Sequence, residues 1–504
     1  MKKAFIIDEG NRFMKKAFII VLAAVMLLPL MFSCGNDGDI SLSDSSADST
    51  ASQNSDPDVP VKDMGGREFR VLCPDFGAGS NSILGYTGEV LYSEENPDSV
   101  DEAKKAVIER VQNDYNCKID GIVDSATPVF QTVRNQVSSG NIEYDIVFDS
   151  TGNAAVLALE HNLYDLNDIS TIDLSASWWD QNAVNDLALG GHLYFVMGDI
   201  NTYDNQGTWC MIFNKDLKRK LGISEDFYDL ARDGKWDFDT FAEICRRDGI
   251  SRDLNSDGVM DEKDQWAFGT ETYNIYVHYI SAGKKIALPD GDGIPYLTMN
   301  TDMTATANIL THVLDFYNEN ETVMVANHEP YTNKGFSNVW EATVHKAFLE
   351  GRELFYMCGL INIASFRKMD DEFGILPVPK YDPAQDRYYH TVSVGNSSAM
   401  FIPYGVKDVE DVGLIVSALS KESKALVTPA YMDVQLKYRD AKDEESAEML
   451  DIIFNSRTFD LGSVYNWGYI ITAYTSMDKN IASRFEAIAS SAQAKLDEAI
   501  EDIT

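Results

Sequence analysis

Apolar positions in the first third of the chain alternate between two rhythms. Arg67-Glu68-Phe69-Arg70-Val71-Leu72-Cys73 reads as a short strand. Ala106, Val107, Ile108 and Val111 recur at helical spacing and predict a helix over 99–115. A second strand follows at Cys117–Val123, then a helical stretch near 128–138. Tyr144-Asp145-Ile146-Val147-Phe148 is a third, strongly apolar strand, and a helix covers 154–161. This β-α-β-α-β-α order predicts a parallel sheet covered by helices. Ligands of such sheets bind beyond the carboxyl ends of the strands. Asp149 and Ser150 sit at such an end and become candidate ligand residues, with helix N-capping the other role open to them.

The middle of the chain predicts a mixed α/β region. Phe213-Asn214-Lys215-Asp216-Leu217 leads into a helix through Leu221, and a second helix runs over 238–247 behind Asp237 or Asp239. Residues 284–298 read as a hairpin around Asp290-Gly291-Asp292-Gly293, and 302–318 as a long amphipathic helix. Phe373–Pro379 is a strand stopped by prolines, and helices dominate after Asp408. About 440 residues of foldable sequence exceed one ordinary core, so two lobes are expected.

The N-terminal region has another character. Lys15-Lys16 precede 17 uncharged residues that end at Ser33-Cys34. A basic start, a short apolar run and a small residue before the cut form a secretory signal. A cysteine at the cut resembles a bacterial lipoprotein signal, which implies diacylglycerol on Cys34 and anchorage on the extracellular face of the cytoplasmic membrane. The positions three and two before the cysteine are Met31 and Phe32, where that signal usually has Leu and a small residue. Met1–Ile7 recurs as Met14–Ile20, which places the expected start at Met14. Residues 35–65 are rich in Ser and Asp, and 35–60 lack Lys, Arg and aromatics. Such composition predicts a disordered tether with a span of about 30 Å.

Composition narrows the function. Hydrophobic residues make up 44% and aromatics 11%, as in a packed globular protein. The net charge is −38; 1–34 holds five basic and two acidic residues, which leaves about −41 beyond it. Such a surface repels nucleic acid and suits neutral or cationic ligands. Cys73, Cys117, Cys210, Cys245 and Cys358 follow Cys34 without any C-x-x-C pair. That pattern is neither a disulfide scaffold nor a zinc framework, although Cys73 and Cys117 leave one bridge open.

One segment carries clear chemistry. Asp253-Leu254-Asn255-Ser256-Asp257-Gly258 matches the first half of a calcium loop. Oxygens of Asp253, Asn255 and Asp257 converge in such a loop, Gly258 permits the turn, and the Val259 carbonyl and Asp261 add donors. Asp264 holds the last position in place of the usual bidentate Glu. The next segment, Gln265–Gly269, reads as a strand and the loop is single, so a structural calcium staple is expected rather than a switch.

Catalytic patterns do not stand out. There is no H-E-x-x-H, no P-loop and no G-x-G-x-x-G, and Gly395-Asn396-Ser397-Ser398-Ala399 lacks the last glycine of a nucleophile elbow. Aromatic residues recur instead beside polar ones: Trp178-Trp179-Asp180, Gly207-Thr208-Trp209, Tyr388-Tyr389-His390 and Tyr465-Asn466-Trp467. Aromatic faces stack on sugar rings while Asp, Asn and Gln pair with hydroxyls. Trp179, Trp209, Tyr389 and Trp467 therefore join the candidate ligand residues.

The order of several segments resembles family 1 extracellular solute-binding proteins, the carbohydrate receptors of ABC importers related to maltose-binding protein. Its carriers are Tyr144–Val147, Trp178-Trp179-Asp180, Ile212-Phe213-Asn214-Lys215, Gly234-Lys235-Trp236-Asp237, the calcium loop, Ala347–Gly351, Gly374–Lys380, Arg439-Asp440 and Leu450–Ile453. The resemblance implies an α/β, type II periplasmic-binding-protein fold with two lobes around a cleft. Lobe one would be 66–200 plus 396–460, and lobe two 208–393 plus 461–504. It implies a monomeric, non-enzymatic receptor that hands sugar to a permease. Asp149, Ser150, Thr272, Tyr273, Met357 and Gly359 would face the cleft. Asp149 stands where maltose receptors carry an aromatic, which argues against maltodextrin as the ligand. A secreted glycoside-active enzyme and a calcium-dependent adhesion lipoprotein are the rival readings.

Overall fold

The computed structural model describes residues 56–76, 88–95, 97–432 and 444–503. Cys34, the signal and the first part of the tether lie outside these residues, as do Arg439 and Asp440. Among the described residues no helix is long and apolar enough to cross a membrane. The strands run in chain order β1 (Glu68–Pro74), β2 (Lys118–Asp124), β3 (Ile146–Asp149), β4 (Trp209–Asn214), β5 (Trp266–Thr270), β6 (Ala287–Pro289), β7 (Pro295–Leu297), β8 (Val323–Val325), β9 (Glu353–Gly359), β10 (Phe373–Leu376), β11 (His390–Thr391), β12 (Ala399–Phe401) and β13 (Arg457–Thr458).

The first sheet has the order β12-β3-β1-β2. Strand β1 is parallel to both β2 and β3, as the β-α-β pattern predicts, and β12 is added antiparallel to β3. The Ser99–Tyr115 helix starts with a capping box in which Asp98 and Asp101 serve each other's backbone N–H, and it ends on left-handed Asn116. Val107, Ile108 and Val111 face the core, in line with their spacing.

The second sheet has the order β10-β4-β9-β5-β8. Strand β5 is parallel to β8 and β9, while β4 is antiparallel to β9 and β10. Every residue of β4 is buried. Trp209, Met211 and Phe213 belong to one hydrophobic core and Cys210 and Ile212 to the other, the period-2 alternation of a central strand. β6 and β7 form the hairpin predicted around Asp290–Gly293.

The chain passes from the first sheet to the second through 201–208 and returns through 377–398. It crosses again between the Val409–Pro429 helix, packed on Ser99–Tyr115, and the Glu444–Asn455 helix, packed on β10. Three segments meet in this seam. Thr208 bridges Val392, Ser393 N–H donates to the Gly207 carbonyl (2.9 Å), and β11 pairs with β13. Arg457 anchors the seam: its guanidinium reaches Asp180 at 2.5 Å, Asp204 at 2.9 Å and Asn205 at 3.0 Å. Burial pushes the Asp204 carboxyl up to about 7 against the pull of Arg457.

Three expectations change. Residues 56–65 are not loose tether: Ser177 N–H donates to Asp56 (2.9 Å), Met64 N–H to the Tyr115 carbonyl (2.8 Å), and Val59 and Met64 rest on the core. The Glu444–Asn455 helix, grouped with lobe one by segment order, rests on β10 and the Phe227–Arg232 helix of the second sheet, with Met449 in the second core. The Ile481–Ile503 helix touches the Met303–Tyr317 helix and also Thr151–Leu159 of the first lobe. Cys73 and Cys117 are not bridged to each other.

Candidate functional site

The seam borders a cavity of about 510 Å³. Its floor is the edge of the second sheet where β5 and β9 end and the antiparallel β4 begins. Those strand ends present Glu271, Gly359 and Trp209. Gly207, Ser393 and Asn396 come from the seam, and Ser337, Asn338, Val339 and Trp340 from the loop after β8. Ile361 and Asn362 follow β9. The 337–340 run enters a π-helical turn at Glu341–His345, an irregularity frequent at functional sites.

Each wall has a local cause. Trp209 pairs with Gly359 across the ladder and stacks on Tyr273, with ring centres 5.5 Å apart and planes at 29°. Its buried indole N–H has no hydrogen-bond partner among the described residues. The Trp340 indole N–H donates to the Tyr356 hydroxyl at 2.6 Å, which fixes the second aromatic wall. Asn362 donates its amide to the Gly359 carbonyl (3.2 Å), and its side-chain oxygen has no hydrogen-bond partner among the described residues. Asn396 N–H donates to the Ser393 hydroxyl at 3.0 Å. A Cβ at Gly207 would collide with the Asn396 carbonyl oxygen, so glycine is what lets the two seam segments touch. Glu271 is half-buried at the floor, and burial pushes its carboxyl up to about 7.

The cavity thus combines two indoles, amides, hydroxyls and one carboxylate. Such a surface can stack on a ring while pairing with hydroxyls. Buried polar groups without protein partners are costly unless a ligand or solvent satisfies them.

The predicted residues divide. Trp209 and Gly359 line the cavity, and Tyr273 backs Trp209. Met357 is buried in β9, and Thr272 donates its N–H to Asn327 at 2.8 Å. Asp149 is 2% exposed at the end of β3, where its carboxylate accepts from Ser150 N–H (2.7 Å) and Asn153 (3.0 Å). Burial pushes its carboxyl up to about 6. Ser150 caps the following helix by accepting from Asn153 N–H. Neither residue borders the cavity. Trp179 and Trp467 are core side chains: Trp179 donates to the Asp173 carbonyl (3.1 Å), and Trp467 stacks on Tyr465 at 5.3 Å. Tyr389 lies away from the cavity, under the Arg387 guanidinium at 4.6 Å.

The sequence reading missed Glu271, Trp340, Asn362, Ser393 and Asn396. Glu271 had one available signal, its place directly after the fully buried β5.

The Asp253–Asp264 segment adopts a tight, acid-lined loop. Asp253 accepts from the N–H groups of Ser256 (2.7 Å) and Gly258 (2.8 Å), and Gly258 has φ +82°. Asp264 is fully buried and accepts from Leu254 N–H (2.9 Å) and Asp261 N–H (2.8 Å), which closes the loop. All the side-chain donors are hard oxygens, the chemistry Ca²⁺ takes, and each carboxylate oxygen keeps a second lone pair. Among the described residues, however, no three His, Cys, Asp or Glu side chains converge closely enough to hold a metal.

No family model and no curated protein sequence matches the chain. Solved structures do. A cyclo/maltodextrin-binding protein complexed with maltotetraose is similar over 87% of this chain and 96% of its own, with TM-score 0.53 and 11% identity. UspC from M. tuberculosis is similar over 86% of this chain and 100% of its own, with TM-score 0.52 and 16% identity. A sugar transporter from Rhizobium etli in an open conformation covers 86% and 98%, with TM-score 0.51 and 15% identity. The chain therefore has the two-lobed type II periplasmic-binding-protein fold.

Proposed function

We propose that this protein is a non-enzymatic extracellular receptor. It captures a sugar or short oligosaccharide by lobe closure and delivers it to an ABC importer permease. The observation that carries this reading is the seam cavity, which Trp209 and Trp340 line beside Asn362, Ser393 and Asn396. Similar structures bound to maltotetraose or described as sugar transporters support the ligand class. Closure follows from differential affinity alone: sugar stabilises the state in which both lobes touch it. A glycosidase needs two carboxyl groups across the scissile bond; Glu271 is the one carboxyl group among the described lining residues. Diacylglycerol on Cys34 and the acidic segment behind it would keep the receptor near its permease at high effective concentration.

Thermal melting across mono- and oligosaccharides tests the reading. A cognate sugar at 100 times its dissociation constant is expected to add about 2.7 kcal/mol. If no sugar shifts melting while peptides or polyols do, the ligand class is wrong.

We also propose that Ca²⁺ staples the Asp253–Asp264 loop. Asp253, Asn255, Asp257, Asp261, Asp264 and the Val259 carbonyl would hold it after drawing closer together than they stand without metal. Bound calcium would supply charge to offset four aspartates in one turn. The expected result is a higher melting temperature with added Ca²⁺, reversed by EDTA and abolished in Asp253→Asn. An unchanged melting curve with EDTA would remove calcium from the account.

A further inference from the structure

The seam cavity contains one ionisable side chain. No Lys, Arg or His is among the described residues that line it, and Glu271 is the sole carboxylate. The Glu271 carboxylate accepts no hydrogen bond and meets no cation among the described residues; burial is the cause of its raised proton affinity. Its titratable neighbours are Tyr356 and Cys358 on β9, whose own proton affinities rise partly through its charge. No cationic side chain among the described residues answers this carboxylate from the cavity side.

We propose that Glu271 is the specificity-determining residue of this cavity and that it selects sugars bearing a free ammonium group over neutral and acidic sugars. The inference rests on the sugar-receptor reading above and names the class of sugar. An ammonium group donates hydrogen bonds to the carboxylate and cancels its charge, and charge-assisted bonds are about twice as strong as neutral ones. A hydroxyl supplies the bond without the charge. A uronate would place a second anion beside Glu271 with no cation to separate them, which forces one group to take a proton. Trp209 and Trp340 work in the same direction, because indole faces attract cations. The net charge of −38 raises the local concentration of cationic solutes around the whole body.

The test is titration calorimetry on the full chain. Glucosamine, galactosamine, mannosamine and deacetylated chitobiose are each compared with the hydroxyl parent and the N-acetyl form; glucuronate and galacturonate complete the panel. N-acetylation keeps the ring and removes the charge. The expected result is one amino sugar bound at least tenfold tighter than both its parent and its N-acetyl form, with uronates weakest. In Glu271→Gln that ratio is expected to fall to about one. Glu271→Asp, which keeps the charge, is expected to retain the preference at lower affinity. Melting curves establish that both variants are folded. A wild type that favours neutral, N-acetylated or acidic sugars overturns the role of Glu271 and leaves the sugar receptor standing. An amino-sugar preference that survives Glu271→Gln does the same. Absence of binding by every sugar, large oligosaccharides included, overturns both readings.

Discussion

Arg457→Met is expected to lower stability by about 3–5 kcal/mol, the usual cost of breaking a buried ion pair by removing one partner. The arginine is 10% exposed in its side chain, and Asp204 and Asp180 are 1% and 8% exposed in theirs. Methionine fills similar space but strands both carboxylates. The effect has a pH signature. Burial already holds the folded carboxyl of Asp204 up at about 7, well above the usual carboxylate range. A carboxyl with a raised folded pKa contributes its stability below the unfolded value and loses it as pH climbs through the folded value. Losing Arg457 pushes that folded value higher still. The deficit should therefore be larger at pH 8 than at pH 5 in urea denaturation. Equal deficits at the two pH values would mean that Arg457 acts through packing and not through its charge.

Trp209→Ala is expected to weaken sugar binding by 30–100-fold, about 2–3 kcal/mol. The ring lines the cavity and stacks on Tyr273, so the substitution removes the platform and leaves the Tyr273 ring without its stacking partner. It also leaves a hole in a core position that is 8% exposed, and large aromatic truncations of this kind cost about 3–5 kcal/mol of stability. Trp209→Phe separates the two effects: stability should largely return, while affinity recovers only in part, because the smaller ring covers less of a sugar face. Calorimetry for affinity and denaturation for stability read them independently. Should Trp209→Ala bind sugar as tightly as the parent, the cavity is not the ligand site.

The first sheet was readable because β1, β2 and β3 are local units joined by helices with clear periodicity, and segment order carried the rest. The site was harder to read. Trp209 looked like a loop aromatic beside Gly207, yet it opens a central strand; alternation over 209–214 is masked because both faces of β4 are buried. Trp179 and Trp467 sit beside polar residues in sequence, but those neighbours point elsewhere. Asp180 caps the Gln181–Asp186 helix and pairs with Arg457, and Asn466 turns the chain at φ +45°. Asp149 and Ser150 do lie at a strand end, as expected, but they serve the helix that follows. Glu271, Trp340 and the pair Ser393 and Asn396 come from three stretches far apart in the chain. They meet because the sheet order sets β9 between β4 and β5, a pairing of distant strands that no local pattern announces.

The bonded seam of 207–208, 390–393 and 456–458 has a mechanical consequence. Strands joined edge to edge form a thin ribbon. A ribbon resists shear within its plane, because every lateral hydrogen bond must then stretch, and it bends easily across its thickness. Lobes connected this way have one soft coordinate, an opening angle, and two stiff ones. Thermal motion would then sample a one-dimensional path between wide and narrow apertures. A ligand need only choose a point along that path.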